Sequence, residues 1–146
     1  IALTLSDPSI VGLFGDALRD VIGGGIDLLF CNKDEALAFA GTDDLASAID
    51  RLKCLTKTLV VTDGANGAIT FDGDSLLKSK GVVAKAIDTN GAGDMFAGAF
   101  LYSITLGKSY DWAASFANHC AARVVEQFGP RVELKDLTLI KKKFGI

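Results

Sequence analysis

A continuous run of β-branched and apolar residues at positions 58–62 places the strongest constraint on the fold of this chain. The run is Thr-Leu-Val-Val-Thr and shows no alternation of apolar and polar residues. Such a pattern is typical of a strand buried on both faces, because parallel strands are covered by helices on each side of their sheet. The run ends at residues 63–67, where Asp-Gly-Ala-Asn-Gly predicts a break. We therefore expect a parallel sheet with a helix layer on each face.

The remaining segments alternate between predicted strands and predicted helices. Strands are predicted at residues 1–5, 26–30 and 58–62, with edge or hairpin strands at 68–71 and 76–86. Helices are predicted at residues 10–21, 33–40, 43–55, 95–106, 110–128 and 134–144, with glycines 23–25 ending the first of them. The alternation, without a linker or an internal repeat, predicts one α/β domain over residues 1–146 with a mostly parallel sheet.

Composition excludes several classes of protein. The net charge of −3 and a pI near 5.0 argue against a general nucleic-acid binder, which usually has a basic face. No apolar run approaches the ~18 residues of a membrane span, and no signal peptide opens the chain. Cys31, Cys54 and Cys120 are widely spaced in apolar surroundings, which predicts small core residues in a reducing compartment. We expect a cytoplasmic protein without nucleic-acid or membrane partners.

Polar and glycine-rich clusters follow the predicted strands. The clusters are Asn32 with Glu35; Thr62, Asp63, Gly64 and Gly67; and residues 88–94, which follow the segment through Ile87. If the strands are parallel, all three clusters lie at one edge of the sheet, where α/β proteins bind their ligands.

The cluster at residues 88–94 is Asp-Thr-Asn-Gly-Ala-Gly-Asp, followed by an apolar helix-forming run. Gly91 and Gly93 permit positive φ angles or a close backbone approach. The free N–H groups at the start of the helix carry partial positive charge, which suits a phosphate or a developing oxyanion. Asp94 in the same turn then caps the helix, binds a cation or accepts a proton, or it is simply a first-turn acid stabilised by the helix dipole.

Three common motifs fail on spacing around this cluster. A dinucleotide fingerprint needs its third glycine where Phe96 stands, and a P-loop needs Lys and then Ser or Thr where Ala99 and Phe100 follow Gly98. A calcium loop that starts at Asp88 needs a glutamate at the position of Ala99.

Residues 88–94 with Phe96 and Gly98 resemble the signature of the ribokinase-type (PfkB) carbohydrate and nucleoside kinase family. The resemblance implies a ribokinase-like three-layer αβα fold with ATP and Mg²⁺ as cofactors. It also implies that Asp94 is the catalytic base and that Gly91, Ala92 and Gly93 form the anion hole. Members of this family are longer and carry the signature in their C-terminal half.

The chain is therefore expected to be the C-terminal ATP-binding and catalytic portion of a larger kinase. The N-terminal half, which supplies the lid and most substrate contacts in this family and through which its members tend to dimerise, is expected to be absent. Residues 1–146 alone are then expected to be poorly active, and a homodimer would form through the missing region.

Two further motifs resemble parts of the same family. Asn32-x-x-Glu35 resembles a motif that places magnesium and phosphate, with Glu35 acting through water; the alternative is a helix cap completed by a capping box. Residues 62–67, with Thr62, Asp63, Gly64 and Gly67, resemble the loop beside the nucleotide phosphates; the alternative is a tight turn between strands.

The resemblance also assigns residues near the nucleotide base and a cation. Asn118 lies where the family contacts the base, and Asp88 and Asn90 are candidates for a monovalent-cation site, such as one for K⁺. His119 is expected to be a helix-surface or hydrogen-bonded residue, not a catalyst.

The predicted reaction moves the γ-phosphoryl group of ATP to a hydroxyl of a small-molecule sugar or nucleoside. Residues 27–36 resemble the adenosine-kinase-like branch, and a sugar acceptor is equally open. Two alternatives remain: a non-catalytic module that binds nucleotide or sugar, and an inactive structural fragment of the same scaffold.

Overall fold

A computed structural model describes residues 1–23 and 25–146 of the chain. The strands are β1 (Ala2–Thr4), β2 (Ile26–Asn32), β3 (Thr56–Thr62), β4 (Gly67–Phe71) and β5 (Leu76–Lys80). The helices are α1 (Pro8–Gly23), α2 (Lys33–Ala40), α3 (Leu45–Lys53), α4 (Ala92–Thr105), α5 (Tyr110–Val125) and α6 (Leu134–Lys143), with a 3₁₀ turn at Gly64–Asn66. Within these described residues, no helix combines the length and apolar character needed to cross a bilayer.

The strands form one sheet in the order β1-β2-β3-β4-β5. β1, β2 and β3 run parallel, and their register sets Leu28 opposite Thr58 and Asn32 opposite Thr62. β4 and β5 are neighbours joined only by residues 72–75, a connection too short for a parallel crossover, so they run antiparallel and the sheet is mixed. The predicted α/β fold with a parallel core is confirmed.

The chain divides into two compact units, one of residues 1–63 with 69–77 and the other of residues 64–68 with 78–146. In the first unit, β3 is buried on both faces as its sequence predicts, since Leu59, Val60 and Val61 are at most 1% exposed. The core also includes buried side chains from the first strands and helices: Leu5, Ile22, Leu29, Phe39 and Leu52. Burying each such side chain contributes about 1.5–3 kcal/mol to folding.

The second unit is built on α4, α5 and α6. α4 and α5 pack against each other, and α5 turns the small side chains Ala113 and Ala117 into the core. The Phe144 ring, just after α6, meets Trp112 and Phe116 of α5 edge-on, with ring centroids 5.2 and 5.3 Å apart. Edge-to-face pairs of this kind add stability beyond the area they bury.

Three expectations about buried or extended residues are wrong. Phe128, the last residue of the helix predicted at 110–128, is 85% exposed because the helix ends at Val125. Cys54, expected in the core with Cys31 and Cys120, is exposed because it caps the C-terminus of α3.

The third concerns the strand predicted at 76–86, which ends at Lys80. A Cβ on Gly81 would lie 2.7 Å from the carbonyl carbon of Ala65, and one on Gly67 would lie 2.7 Å from that of Lys80. The two backbones therefore cross at their glycines, and residues 81–87 leave the sheet. The cluster at 88–94 consequently does not follow a strand. α1 ends at Gly23 as expected, whereas Gly24 lies outside the described residues.

Candidate active site

The first group of predicted site residues lies where β2 and β3 end. Asn32 caps α2, and its Oδ1 accepts a 2.8 Å hydrogen bond from the Glu35 amide. In return, Glu35 accepts from the Asn32 amide at 3.0 Å and from the Asn32 side chain at 2.7 Å. The pair forms the capping box that was the structural alternative for this motif.

Glu35 is only 5% exposed. Burial raises the pKa of its carboxyl group, the hydrogen bond from Asn32 opposes that shift, and the charges of Asp7 and Asp34 add to it. Each oxygen of the carboxylate already accepts one hydrogen bond from Asn32, and among the described residues no three His, Cys, Asp or Glu side chains cluster as a metal site. This donor set fits an ion such as Mg²⁺ that keeps its waters and takes further ligands from phosphates.

The same edge carries Thr62 and Asp63. Thr62 is the register partner of Asn32, so the ends of β2 and β3 lie side by side. The Lys33 ammonium group lies 3.9 Å from the Asp63 carboxylate, a partly exposed pair that links the start of α2 to the end of β3. The structure therefore brings together the first cluster and the beginning of the second.

In the other unit, Asp88 anchors the start of the predicted anion loop, residues 88–94. One of its carboxylate oxygens accepts from the Asn90 amide at 3.0 Å and the other from the Gly129 amide at 3.1 Å. These two hydrogen bonds, that of Asn90 first, lower the pKa of Asp88. The Ile87 and Asp88 amides both donate to the carbonyl of Val125. Asp88 thus joins the loop to the end of α5.

Gly91 is the residue from which α4 begins. Its φ of 77° is left-handed, and a Cβ there would lie 2.8 Å from Pro130 Cα and 2.9 Å from the Pro130 carbonyl oxygen. Conformation and packing both require glycine here, as the sequence predicts. Among the described residues, no side chain caps the N-terminus of α4. The Ala92 amide donates to the Thr89 carbonyl at 3.3 Å, whereas the amides of Gly93 and Asp94 have no partner among the described residues and are available to an anion.

Gly93 and Asp94 lie exposed in the first turn of α4. Gly93 has no positive φ, and a Cβ added to it would have no atom within 4 Å. Within residues 1–23 and 25–146, the Asp94 carboxylate has no hydrogen bond or ion pair. An unpartnered carboxylate beside an uncapped helix start, with open space above it, can receive a ligand that is both anionic and a proton donor.

The remaining predicted residues have structural contacts of their own. Gly64 begins the 3₁₀ turn with a φ of 51°, and Gly67 has a φ of 99° where it crosses Gly81. The side-chain amide of Asn118, which is 7% exposed, donates to Ser79 Oγ at 3.1 Å and to the Lys80 carbonyl at 3.2 Å. Because the side-chain nitrogen of Asn118 is already hydrogen-bonded, a contact with the nucleotide base would be made through the side-chain oxygen.

His119 has a partner at each ring nitrogen. Its Nδ1 lies 2.9 Å from the Ser115 carbonyl, and its Nε2 lies 2.8 Å from the Lys143 ammonium group. An Nδ1–H tautomer donates to Ser115 and accepts from Lys143. The histidine is a hydrogen-bonded helix residue, as expected.

Sequence reasoning missed two elements beside the predicted clusters. One is Gly81, whose place inside a presumed strand is a recognised signal of close backbone approach. The other is the Gly129-Pro130 pair, which the sequence marked only as the end of a helix. Its contact with residues 88–91 spans about forty positions of sequence and has no local signal.

Comparison with known proteins gives consistent results. The family model described as pfkB family carbohydrate kinase matches residues 1–137. A probable sugar kinase from Rhizobium etli CFN 42 is 33% identical with a TM-score of 0.93, covering 99% of this chain and 44% of that one. An adenosine kinase from Sinorhizobium meliloti is 30% identical with a TM-score of 0.92, covering 97% of this chain and 44% of that one.

A third structure, an Arabidopsis thaliana ribokinase complexed with ribose and ATP, is 27% identical with a TM-score of 0.73 and covers 84% of this chain and 43% of that one. The chain thus spans less than half the length of each of these relatives.

Proposed function

Because this chain belongs to the pfkB family of carbohydrate kinases, we propose that it is the C-terminal ATP-binding and catalytic portion of a larger kinase. The reaction is transfer of the ATP γ-phosphoryl group to a hydroxyl of a sugar or nucleoside. The observation that carries the proposal is the uncapped start of α4, where the unpartnered Asp94 carboxylate lies beside the open N–H groups of Gly93 and Asp94.

The proposed anion-binding role falls to the backbone at Gly91, Ala92 and Gly93, where the Ala92 amide would give up its 3.3 Å hydrogen bond to the Thr89 carbonyl. These residues open α4, and helix N-termini carry a partial positive charge of roughly half a unit. Negative charge spreads over the oxygens of the phosphoryl group as it transfers, so N–H donors already held in place lower the barrier. The open space at Gly93 supports a close approach of the phosphoryl oxygens.

Asp94 is the proposed proton acceptor. A carboxylate is a weak base towards an alcohol, so Asp94 orients the acceptor hydroxyl and takes its proton late, as the bond to phosphorus forms. Its exposure and its freedom from hydrogen bonds among the described residues support this role. A purely capping carboxylate would instead accept a hydrogen bond from a backbone N–H group at the start of its own helix.

The cofactor roles rest on the other clusters. Glu35, steadied by Asn32, would hold Mg²⁺ through water, and bound Mg²⁺ would neutralise the phosphate charge. Thr62 and Asp63, followed by Gly64 and Gly67, would lie beside the ATP phosphates.

The Asn118 oxygen would contact the base, and Asp88 with Asn90 would hold a monovalent cation such as K⁺. The ATP in the ribokinase relative supports the choice of nucleotide.

The test is Asp94→Asn in the full-length kinase. We expect kcat to fall by about 10²–10⁴, because the amide still orients the hydroxyl but cannot take its proton. Asp111→Asn is the matched control, since Asp111 is the first-turn acid of α5 and shares the same helix-dipole interaction. A kcat within about tenfold of the wild type in Asp94→Asn would remove Asp94 from this role.

The acceptor is identified by screening sugars and nucleosides with the same full-length protein. Relatives of both kinds match this chain at comparable identity, so both classes belong in the screen. Calorimetric titration with ATP–Mg²⁺ separates the alternatives. Binding without phosphoryl transfer to any acceptor would favour a non-catalytic module, and absence of binding would favour a structural fragment.

A further inference from the structure

The connection between α5 and α6, residues 126–133, is tied at both ends by ion pairs of Arg123. Arg123 near the end of α5 contacts Glu126 at 2.5 Å and Asp136 of α6 at 3.0 Å. Asp136 is 9% exposed and the Arg123 side chain is 44% exposed, so the carboxylate of this pair is shielded from water while its guanidinium group is partly screened. Inside the connection, the Gln127 side chain donates to the Arg131 carbonyl. The connection is therefore tied to the two helices by ion pairs and carries one hydrogen bond within itself.

The same connection is in contact with the start of the anion loop. Its Gly129 amide donates to Asp88, and its Pro130 occupies the space that a side chain at Gly91 would need. The proline ring fixes the backbone of residue 130, so this contact surface has a defined shape. The loop is therefore held by a hydrogen bond at its beginning and by a rigid surface at the residue from which α4 starts.

We propose that Pro130 is a positioning residue for phosphoryl transfer, and that residues 126–133 act as a brace that fixes the direction of the first N–H groups of α4. The N–H groups at residues 92–94 follow directly from the left-handed Gly91, so a small rotation at that residue turns all of them together. Pro130 limits this rotation because it is packed against Gly91. This inference rests on the proposed function, because a misdirected N–H group matters only where it stabilises a transferring phosphoryl group.

The test is Pro130→Gly in the full-length kinase. Removing the ring frees the backbone at 130 and withdraws the Cβ that faces Gly91. We expect kcat to fall by about tenfold or more, with KM values for ATP and acceptor within about threefold, since the donors are misdirected more in the transition state than in the ground state. Pro130→Ala, which keeps the Cβ, should recover most of the lost kcat. A parallel rise in both KM values, or an unchanged kcat, would overturn the proposal.

Hydrogen exchange supplies a readout that is independent of turnover. The Asn90 and Ala92 amides, which donate to Asp88 and to the Thr89 carbonyl, should exchange faster in Pro130→Gly, whereas amides in the middle of α4 should not change. Pro8→Gly is the matched control, because Pro8 is the first residue of α1 and its loss should leave exchange at 89–94 unchanged. Unaltered exchange at 89–94 in Pro130→Gly would refute the brace.

A combined variant tests whether Pro130 acts through the anion loop. In an Asp94→Asn background, Pro130→Gly should lower kcat by much less than it does in the wild type, because residues that act as one catalytic unit are not additive. Full additivity would contradict the positioning role. If the kinase reaction itself is absent, the proposed function fails while the exchange experiment still decides whether the brace exists.

Discussion

A substitution at the single residue Gly93 should change stability and activity in opposite directions. It lies exposed in a helical turn with no atom within 4 Å of an added Cβ. Gly93→Ala should therefore raise the free energy of unfolding by up to about 1 kcal/mol, because alanine loses less backbone entropy in a helix. In the full-length kinase, the same methyl group would stand where the phosphoryl oxygens approach. We expect kcat to fall by at least about tenfold, measured beside denaturant unfolding.

The matched control for this prediction is Gly98→Ala. Gly98 lies in the same helix, is exposed and also has no atom within 4 Å of an added Cβ. Gly98→Ala should gain similar stability while kcat stays within about twofold. Gly98 lies outside the first turn of α4, where the amides of Gly93 and Asp94 have no partner among the described residues. Equal losses of kcat in both variants would contradict a specific role for Gly93.

The three cysteines should differ sharply in reactivity. Burial raises the pKa of Cys31 and raises that of Cys120 to about 11, so neither forms a thiolate at neutral pH, whereas Cys54 is exposed. In the native protein at pH 8, a thiol reagent should label one cysteine rapidly, identified as Cys54 by peptide mass mapping. Labelling of all three should require denaturant. Rapid native labelling of Cys120 would show that the α5 core opens easily.

At the scale of an element, the capping box of α2 should make a measurable contribution to stability. Asn32→Ala removes the acceptor of the Glu35 amide and the side-chain donor to the Glu35 carboxylate, while the backbone donor of residue 32 remains. We expect a loss of about 1–2 kcal/mol in the free energy of unfolding, the upper part of the usual range for an N-cap. Asn32→Ser keeps an acceptor and should lose less. Equal stability of Asn32→Ala and the wild type would mean that the box is not formed in solution.

Elements set by local sequence were predictable, and those set by distant contacts were not. α2 has the predicted bounds because Asn32 starts it and the left-handed Gly41 ends it, both local signals. β3 follows from its continuous β-branched run. The end of β5 depends on the crossing of Gly81 and Gly67, and the anchoring of Asp88 depends on Gly129. Such pairings are set by the tertiary fold, which a local pattern does not contain.

For the whole molecule, the informative feature is apolar surface on the first unit. α1 exposes Leu13, Phe14 and Val21 at 77%, 56% and 59%. The chain spans 44% of the probable sugar kinase and of the adenosine kinase reported above, and the family resemblance implies that the lid and most substrate contacts belong to the remaining part. An uncovered apolar helix face is what a chain would show if that part packs against it.

From the proposed function, we expect this chain, separated from the proposed larger kinase, to lose efficient turnover without losing its fold. We expect residues 1–146 alone to show a kcat at least about 10²-fold below that of the full-length protein, because the acceptor hydroxyl is no longer held against Asp94. Circular dichroism and cooperative unfolding of the chain alone provide the control for folding. A folded chain that phosphorylates a sugar or nucleoside at the full-length rate would refute the expectation, since positioning of the acceptor would then need only these residues.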